Sequence, residues 1–392
     1  MPHASDYMEY RRASLTIAGR TYVVASKAGA FSHGRTDPAQ LMLATQLAGV
    51  AAGQVVLDLN CGNGIAGTVA ALCGAARVVL TDRNVVNAGA ADRTVAENGA
   101  TSAEVRLAHG GASLPAADVV AIRIPKERLA LLQLLADAFR TLRVGGRCYV
   151  AGATNEGIRT AAGTLAQLFG GERTLARDAG HHLLMATKRA DAPADASVLD
   201  SPYLDPDTFH EYDAELAARH FRIYTRPGVF SWDHLDEATA ILSGVMEVAR
   251  GEHVLDIGCG AGALGALAGT LSGDARVLLL DADVEAVRCA ARTVAAAGLA
   301  NAESRTSDVG AAVGDERFDV VVTNPPFHVG KATELSVPMR FIADAHAALR
   351  DGGRMYLVAN RTLPYERAVV ERFGNVSTLH DGVRFKVLSA VR

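Results

Sequence analysis

The sequence predicts an α/β fold in two tandem copies, each with a mostly parallel β-sheet that is covered by helices on both faces. Three observations support this prediction. The length of 392 residues suits two domains of roughly 200 residues each. Segments of the first half recur in the second half in the same order. Within each half, short aliphatic runs alternate with stretches of helical period, which is typical of a parallel sheet.

The internal repeat is the strongest of the three observations. Five segments of the first copy correspond in order to five of the second, and the offset grows only from 198 to about 207 residues. The corresponding segments are AFSHGRTDPAQLMLAT (30–45) and VFSWDHLDEATAILSG (229–244), VVLDLNCGNG (55–64) and HVLDIGCGAG (253–262), VVLTDRN (78–84) and LLLDADV (278–284), ADVVAIRIPKE (117–127) and FDVVVTNPPFH (318–328), and LRVGGRCYVAGATN (142–155) and LRDGGRMYLVANRT (349–362). Ordered repeats of this kind indicate a duplicated fold.

The elements of the second copy follow from the apolar pattern. Four runs that are too apolar for a solvated sheet predict buried parallel strands, namely HVLDI (253–257), RVLLL (276–280), FDVVVT (318–323) and RMYLVA (354–359). The chain ends in two alternating runs around an Asp-Gly turn, which predicts a closing antiparallel strand pair. We expect a first domain at 1–190, a linker at 191–205, which lacks periodicity, and a second domain at 206–392.

Composition excludes several classes of protein. The chain is 49% hydrophobic and 21% charged, which is globular rather than disordered composition. No apolar run is long enough for a membrane span, and the N-terminal residues lack a secretory core. The five cysteines form no CxxC pair, so neither a disulfide framework nor a metal site is expected. These features predict a cytoplasmic protein without membrane or metal partners, and they leave the oligomeric state open.

The charge is distributed unevenly between the two halves. Residues 1–190 hold 20 basic and 14 acidic side chains, a net charge of +6. Residues 191–392 hold 19 basic and 29 acidic side chains, a net charge of −10. A basic half beside an acidic half is compatible with a module that docks a polyanion, and equally with a drift of surface charge that has no function.

A glycine turn in the second copy predicts a ligand site. VLDIGCGAG ends a strand with Asp256 and turns through Gly258, Gly260 and Gly262 into a helix, so a ligand can approach the backbone there. A carboxylate before the turn suits an ammonium group better than a pyrophosphate. Asp281 ends the next strand, where it can bind ribose hydroxyls. A capped turn and a helix N-cap are the structural alternatives for these two aspartates.

The segment NPPFH (324–328) follows the strand FDVVVT directly. Two successive prolines form a rigid corner with few donors. The Asn324 side chain and the Pro325 carbonyl offer two acceptors for a planar exocyclic amine, and Phe327 can stack on the ring that carries it. A plain turn at the end of a strand is the alternative.

These motifs resemble those of class I S-adenosylmethionine (SAM)-dependent methyltransferases. PGVFSWDHLDEAT, VLDIGCGAGALG, RFDVVVTNPPFHVG, LVANRTLPYE and the terminal RFKV are similar to the tandem-domain ribosomal RNA guanine-N2 methyltransferases (RsmC/RlmG-like) over nearly all of 226–392. The resemblance implies two Rossmann-like domains with seven-stranded sheets, SAM as the cofactor, and methylation of a guanine N2 in ribosomal RNA, with the small subunit favoured. Ribosomal RNA or a ribosomal subunit would be the partner.

The resemblance also implies roles for individual residues. The expected SAM-binding residues are Phe230, Ser231, Asp256, Gly258, Gly260, Gly262, Asp281 and Asp308. The expected catalytic residues are Asn324 and Pro325, which would hold the amine, and Phe327, which would stack on the base. His328 and Tyr365, the latter in the LPYE loop, are candidates for contact with the substrate. Asp308 would face the adenine amine, with an N-capping role as the alternative.

The first copy departs from this pattern. Arg123 and Ile124 stand where the second copy has Asn324 and Pro325, and an arginine cannot accept a hydrogen bond from an amine. We therefore expect the first copy to have lost the chemistry and to dock RNA. The cations expected to contact RNA are Arg123, Lys126 and Arg128, with Arg11, Arg12, Arg20 and Arg35 concentrated on the same copy.

Other functions use the same motifs. An NPPF corner also serves methyltransferases that act on adenine N6 or on a protein glutamine amide, and a metabolite methyltransferase is a further alternative. A non-catalytic RNA-binding or assembly protein is the alternative from another class, although an intact corner beside an intact glycine turn speaks against it.

Overall fold

The computed structural model describes residues 4–108, 114–190, 196–326 and 336–392. The chain divides into two compact units. The first unit is Tyr10–Thr208, and the second is Phe209–Arg392 together with the N-terminal residues up to Glu9. This division differs from the expected boundaries because residues 4–9 group with the second unit and residues 196–205 of the expected linker group with the first. No helix among the described residues is long and apolar enough to cross a membrane.

The first unit begins with a hairpin and continues with alternating helices and strands. Its elements are β1 (Arg11–Ile17), β2 (Arg20–Ser26), α1 (Pro38–Ala48), β3 (Val55–Leu59), α2 (Ile65–Leu72), β4 (Arg77–Asp82), α3 (Val85–Glu97), β5 (Ala103–Leu107), β6 (Ala117–Arg123), α4 (Arg128–Thr141), β7 (Leu142–Ala153), α5 (Ile158–Phe169), β8 (Arg173–Asp178), β9 (His181–Thr187) and α6 (Ala196–Leu199).

The second unit repeats this order. A short 3-10 helix at Ala4–Met8 also belongs to it. Its other elements are β10 (His210–Leu216), β11 (Arg219–Thr225), α7 (Glu237–Val245), β12 (Val254–Ile257), α8 (Ala263–Ser272), β13 (Val277–Asp281), α9 (Val284–Ala296), β14 (Ala302–Thr306), β15 (Phe318–Thr323), α10 (Ser336–Ala348), β16 (Leu349–Asn360), α11 (Tyr365–Phe373), β17 (Ser377–Asp381) and β18 (Phe385–Val391).

Each unit contains a seven-stranded sheet with the same topology. The strand orders are β5-β4-β3-β6-β7-β9-β8 and β14-β13-β12-β15-β16-β18-β17. Six strands of each sheet run in the same direction, and the last strand in chain order is antiparallel to both of its neighbours, so that the last two strands form an antiparallel pair at one edge. This confirms the predicted tandem Rossmann-like fold and the closing strand pair. The strand order reverses between β12 and β15, where a crevice for ligands forms in such sheets.

The central strands are buried on both faces. All four residues of β12 are buried, as are five of the six residues of β15. A parallel sheet between two layers of helices presents no face to water, so its strands are continuously apolar instead of alternating. The exceptions within these strands are polar side chains that serve the adjacent loops.

The sequence analysis missed a two-stranded hairpin at the start of each unit. In the second unit, β10 pairs with β11 around Ala217 and Ala218, which both adopt positive φ angles. Alanine is unusual in such a turn, which normally takes asparagine or glycine. The hairpin is attached to α9, because the Tyr224 backbone N donates to the Thr293 hydroxyl at 3.0 Å. The alternation of apolar and polar residues in β10 and β11 was the available signal.

Each sheet carries a buried aspartate beneath its glycine turn. Asp58 in β3 and Asp256 in β12 are each 1% exposed. Each accepts a hydrogen bond from a glycine backbone N in the following helix, Gly67 at 2.8 Å and Gly265 at 3.0 Å. Burial raises the pKa of both carboxyls to about 7, although the glycine N–H groups act in the opposite direction.

These two carboxyls predict a pH dependence of stability. Because their pKa in the folded state lies above the unfolded value, their contribution is present at low pH and is lost as the pH rises through about 7. Relative to the parent, the double variant Asp58→Asn/Asp256→Asn should lose less unfolding free energy between pH 5 and pH 8. We expect a difference on the order of 2 kcal/mol per carboxyl, measured by urea denaturation. Identical pH profiles for parent and variant would contradict this assignment.

Candidate functional site

A cleft opens at the carboxyl edge of the second sheet, where the strand order reverses between β12 and β15. The glycine turn after β12 forms one side, and Asn324, which directly follows β15, lies at another. The lining residues are Tyr212, Phe230, Ser231, Leu235, Asp236, Thr239, Gly258, Cys259, Gly260, Ala261, Ala263, Leu264 and Asn324. The structure thus brings together the expected glycine turn, the Phe230–Ser231 segment and the NPP corner.

The three glycines of the turn have different surroundings. A Cβ atom added at Gly262 would lie 2.9 Å from the Ala290 Cα, so this glycine lets α8 approach α9. A Cβ atom at Gly258 would lie 3.1 Å from the Phe341 ring. A Cβ atom at Gly260 would meet no atom within 4 Å. Gly260, at φ +53°, is therefore the glycine that borders open space.

Asp281 fixes the position of this turn. Its Oδ2 accepts a hydrogen bond from the Gly260 backbone N at 2.9 Å, and its Oδ1 accepts from the Asp283 backbone N at 2.9 Å. The side chain is only half-buried. Each carboxylate oxygen can accept more than one hydrogen bond, so the group retains acceptor capacity for a ligand hydroxyl.

Asp256 is placed differently from its expected role. It is 1% exposed and lies beneath the turn, where it braces the first turn of α8 through Gly265. It does not line the cleft. Its Oδ1 is buried and has no hydrogen-bond partner among the described residues. A cation bound over the turn would interact electrostatically with the Asp256 carboxylate across the intervening backbone, without a direct contact.

The Asn324 amide has a defined orientation. Its Nδ2 donates to the Asp236 Oδ2 and to the Thr239 Oγ1, both at 3.0 Å. A carboxylate can only accept, so the nitrogen end of the amide must face Asp236. Oδ1 therefore remains as an acceptor beside the cleft. Pro325 is buried and Pro326 is exposed.

The sequence analysis missed Asp236 and Thr239 as functional residues. Asp236 is the N-cap of α7, and its Oδ2 accepts from both the backbone N and the hydroxyl of Thr239. The segment SWDHLDEAT contains an N-cap pattern, which was the available signal. Nothing in the sequence alone connects this cap with Asn324, which lies 88 residues further along the chain.

The remaining expected residues fall into three groups. Phe230 is 63% exposed at the rim of the cleft, and Ser231 adopts a positive φ of +50° beside it. Asp308 follows β14 and its Oδ1 accepts a hydrogen bond from the Tyr7 hydroxyl at 2.5 Å. Phe327 and His328 lie outside the described residues.

The expectation for Tyr365 is wrong. This side chain is 1% exposed and packs inside the second unit at the start of α11. Burial raises the pKa of its hydroxyl well above the usual range. A side chain enclosed in this way cannot contact a substrate. The LPYE segment leads into α11, and its tyrosine is the first residue of that helix.

Cys259, in the glycine turn, is not suited to nucleophilic chemistry. It is 8% exposed, and burial raises the pKa of its thiol well above the usual value, with the charges of Asp281 and Asp256 acting in the same direction. A thiol in such surroundings stays protonated at neutral pH.

The glycine turn of the first unit is covered by a side chain. Gln40, which corresponds to Thr239, donates from Nε2 to the Cys61 carbonyl at 2.9 Å and is 3% exposed. A Cβ atom added at Gly62 would lie 2.4 Å from the same Nε2 atom, whereas its counterpart Gly260 borders open space. The first unit therefore keeps a cavity of about 290 Å3 beside the turn, lined by Gln40 and Asn63, but Gly62 does not line it.

The expectation that Arg123 contacts RNA is also wrong. Its guanidinium is 4% exposed and binds both oxygens of Asp37 at 3.1 Å and the Glu156 Oε1 at 2.8 Å. It also lies 5.0 Å from the centroid of the Phe31 ring. Two carboxylates neutralise this cation inside the protein, so it cannot reach a phosphate. Lys126 and Arg128, in contrast, are exposed.

The chain is similar to known methyltransferases in sequence. The methyltransferase small domain model matches residues 21–185 and 220–389. Ribosomal RNA small subunit methyltransferase C of Pseudomonas aeruginosa (strain UCBPP-PA14) is 34% identical over 272 residues, which cover 69% of this chain and 77% of that protein. The same enzyme of Hahella chejuensis is 33% identical over 276 residues, which cover 70% of this chain and 78% of that protein.

A solved structure is similar along its whole length. The T. thermophilus 16S rRNA N2 G1207 methyltransferase RsmC, in complex with AdoMet and guanosine, is 30% identical with a TM-score of 0.83, and the match covers 100% of both chains. Both units of the present chain are thus matched, including the one whose glycine turn is covered. The chain belongs to the methyltransferase small domain family, together with the ribosomal RNA small subunit methyltransferases C.

Proposed function

We propose that the second unit transfers a methyl group from SAM to the N2 amine of a guanine in small-subunit ribosomal RNA. The observation that carries this proposal is the orientation of Asn324, whose Nδ2 is held by Asp236 and Thr239 so that Oδ1 is left as an acceptor at the cleft. The proposal is supported by relatives that are named as ribosomal RNA small subunit methyltransferases and by the T. thermophilus 16S rRNA N2 G1207 methyltransferase, whose structure contains AdoMet and guanosine.

The cleft residues fit the cofactor. SAM supplies a methyl group that is activated by the positive charge of its sulfonium. Gly260 leaves room for a ligand against the backbone, Asp281 has acceptor capacity for ribose hydroxyls, and Phe230 and Ser231 border the opening. Asp308 would accept from the adenine amine.

Asn324 and Pro325 would hold the target amine. The lone pair of a guanine amine is delocalised into the ring, so the amine is a weak nucleophile. Acceptance of its two N–H groups by the Asn324 Oδ1 and the Pro325 carbonyl favours a pyramidal nitrogen and frees the lone pair. What the protein contributes is mainly position and preorganised acceptors, which together supply several kcal/mol in such sites. The proton released after transfer can pass to water.

An adenine N6 or a glutamine amide would satisfy the same two acceptors. A second feature favours RNA over a protein or metabolite substrate: a groove of about 1300 Å3 at the carboxyl edge of the first sheet. This volume exceeds the roughly 300–1,000 Å3 of ordinary small-molecule pockets. Arg35, Lys126, Arg128 and His181 line the groove. We propose that the first unit docks RNA through it.

The cations of this groove are available for phosphate. Arg35, Lys126 and Arg128 are exposed, and none forms an ion pair within the described parts of the chain. Arg177 lies opposite His182 in the strand register, next to the groove residue His181. Burial lowers the pKa of His182, and the nearby charges of Arg177 and Arg159 lower it further, so both arginines belong to the same surface. The sequence analysis did not identify Arg159, Arg177 or His181. Arg12, which it did include, is paired with Glu97 at 2.8 Å.

One of these cations is replaced by an acidic group in the second unit. In the first unit, Arg177 pairs with His182 in the strand register, and in the second unit Asp381 pairs with Lys386. Lys386 is 6% exposed and its Nζ contacts Glu366. At this register position the first copy thus has a cation where the second has a carboxylate, which supports a basic surface specific to the first copy.

The cofactor site can be tested with a matched pair of variants. Asp281→Ala should weaken SAM binding by about 1–3 kcal/mol, because it removes charge-assisted hydrogen bonds. Asp82→Ala removes the equivalent contact in the first unit, where Asp82 accepts from the Gly62 N at 3.0 Å, and should leave SAM affinity unchanged. Calorimetric titration of the parent should give one SAM per chain. Equal losses in both variants, or two SAM per chain, would show that the first unit also binds SAM.

The amine-holding role of Asn324 can be separated from cofactor binding. Asn324→Ala should retain SAM affinity near the parental value and reduce methyl transfer to ribosomal RNA on the order of a hundredfold or more. Thr239→Val removes one of the two acceptors that orient the amide, and should cause a smaller loss, about tenfold. Single-turnover methylation assays measure both. A parental rate in the Asn324 variant would refute the role of the NPP corner.

The docking role predicts a loss of RNA affinity from two exposed cations. The full-length variant Lys126→Glu/Arg128→Glu should bind ribosomal RNA at least tenfold more weakly at low salt. The dependence of log affinity on log salt should become shallower by roughly 1.5, since about 0.7 is lost per phosphate contact on single strands. SAM affinity should not change. Filter binding across a salt series measures the slope.

The control for this experiment is Arg77→Glu/Arg143→Glu, which changes the net charge equally. These arginines lie at the opposite edge of the same sheet, where they pair with Glu104 at 3.1 Å and Asp118 at 2.5 Å. An equal loss of RNA affinity in the control would mean that net charge alone, and not the groove, attracts RNA.

A further inference from the structure

The N-terminal residues of the chain belong to the second unit, although β1 begins the first unit at Arg11. The 3-10 helix Ala4–Met8 packs against α10. Within it, Tyr7 is 2% exposed, which makes it one of the most deeply buried large side chains of the protein. Its hydroxyl donates to the Asp308 Oδ1 at 2.5 Å. A residue at the start of the chain thus contacts a carboxylate 301 positions away.

Asp308 lies on the same sheet edge as the cofactor site. It follows β14, which pairs with β13, the strand that ends in Asp281. The connection is direct, because the Ser307 backbone N donates to the Asp281 carbonyl at 2.8 Å. Asp308 is half-buried, so its side chain is partly accessible to solvent. Two aspartates on adjacent strands are therefore positioned for two parts of one nucleoside.

The surroundings of Tyr7 keep its hydroxyl a hydrogen-bond donor. Burial raises the pKa of Tyr7 well above its usual range, and the charge of Asp308 raises it further, with Arg340 acting in the opposite direction. The neighbouring Asp344 is itself occupied, since it accepts from the Arg340 Nε at 2.9 Å and from the Gly310 N at 3.0 Å. The phenol therefore stays protonated at neutral pH and donates to Asp308.

We infer that Tyr7 is a positioning residue for the cofactor site: it holds the Asp308 carboxylate in the orientation that accepts the 6-amino group of the adenine of SAM. This inference rests on the proposed function, in which Asp308 accepts from the adenine. A hydrogen bond from a buried phenol fixes the rotation of the carboxylate while leaving acceptor capacity on its oxygens. The N-terminal segment, which precedes the non-catalytic unit, thereby becomes part of the catalytic unit's nucleoside pocket.

Tyr7 would affect the selectivity of the site between a 6-amino and a 6-oxo purine. A carboxylate held in place accepts from a 6-amino group and repels the 6-oxo group of a hypoxanthine ring. Loss of the Tyr7 hydroxyl removes one of the contacts that orient the carboxylate, so adenine binding weakens while hypoxanthine binding is little affected. A role limited to packing would not produce this difference, because phenylalanine retains the ring and its apolar contacts.

The test compares two ligands on the full-length chain. S-adenosylhomocysteine and its 6-oxo analogue S-inosylhomocysteine are titrated calorimetrically into the parent and into Tyr7→Phe. We expect the affinity of Tyr7→Phe for S-adenosylhomocysteine to fall by about 5- to 20-fold, which corresponds to one charge-assisted hydrogen bond, and its affinity for the 6-oxo analogue to change less than twofold. The preference for adenine should therefore decrease.

Two further variants complete the test. Tyr22→Phe removes the hydroxyl of an equally buried tyrosine in the first unit, 3.7 Å from the Cys73 Sγ, and should leave both affinities unchanged. Asp308→Asn should reduce the preference for adenine at least as much as Tyr7→Phe. If Asp308→Asn reduces it and Tyr7→Phe does not, the role of Tyr7 is wrong and the proposed function stands. If Asp308→Asn leaves the preference intact, Asp308 does not read the adenine, and both assignments are overturned.

Discussion

The hydrogen bond from the Gly260 backbone N to the Asp281 carboxylate is the contact on which the active unit depends. It joins the end of β13 to the turn after β12, and so sets the floor of the cleft at the place where the strand order reverses. The first unit has the same contact between Gly62 and Asp82. Because both units keep this scaffold and only the second leaves its glycine turn uncovered, the scaffold alone does not create a cofactor site.

The difference between the units lies in the side chains above this floor. Thr239 in the second unit leaves space over Gly260, whereas the longer Gln40 covers Gly62. At the corner after the central strand, Asn324 donates to its helix cap and keeps an acceptor for the substrate, whereas Arg123 donates to the corresponding cap, Asp37, and fills the corner. Removal of a ligand from a fold leaves a void, and voids in a packed interior are destabilising. The arginine and glutamine occupy that space.

The sequence predicted the parallel sheets, the duplication, the glycine turn and the NPP corner, because each depends on local pattern or on residues adjacent in the chain. It could not predict features that require distant residues to converge. The burial of Arg123 depends on Asp37 and Glu156, which approach from two different loops. Tyr365 looked accessible in a loop motif, yet it packs against the core. The hairpins were missed because their turns place alanine at positive φ, and turn propensities do not predict alanine in that conformation.

The proposed function places two opposite electrostatic requirements on different units. A cleft that binds a cationic cofactor benefits from acidic surroundings, and residues 191–392 carry a net charge of −10. The same charge repels the phosphates of RNA, so a substrate strand needs cations elsewhere. In the first copy the central arginine, Arg123, is neutralised by carboxylates, while Lys126 and Arg128 at the rim remain exposed. Under the proposed function, these exposed cations supply the counter-charge for RNA that the acidic half lacks.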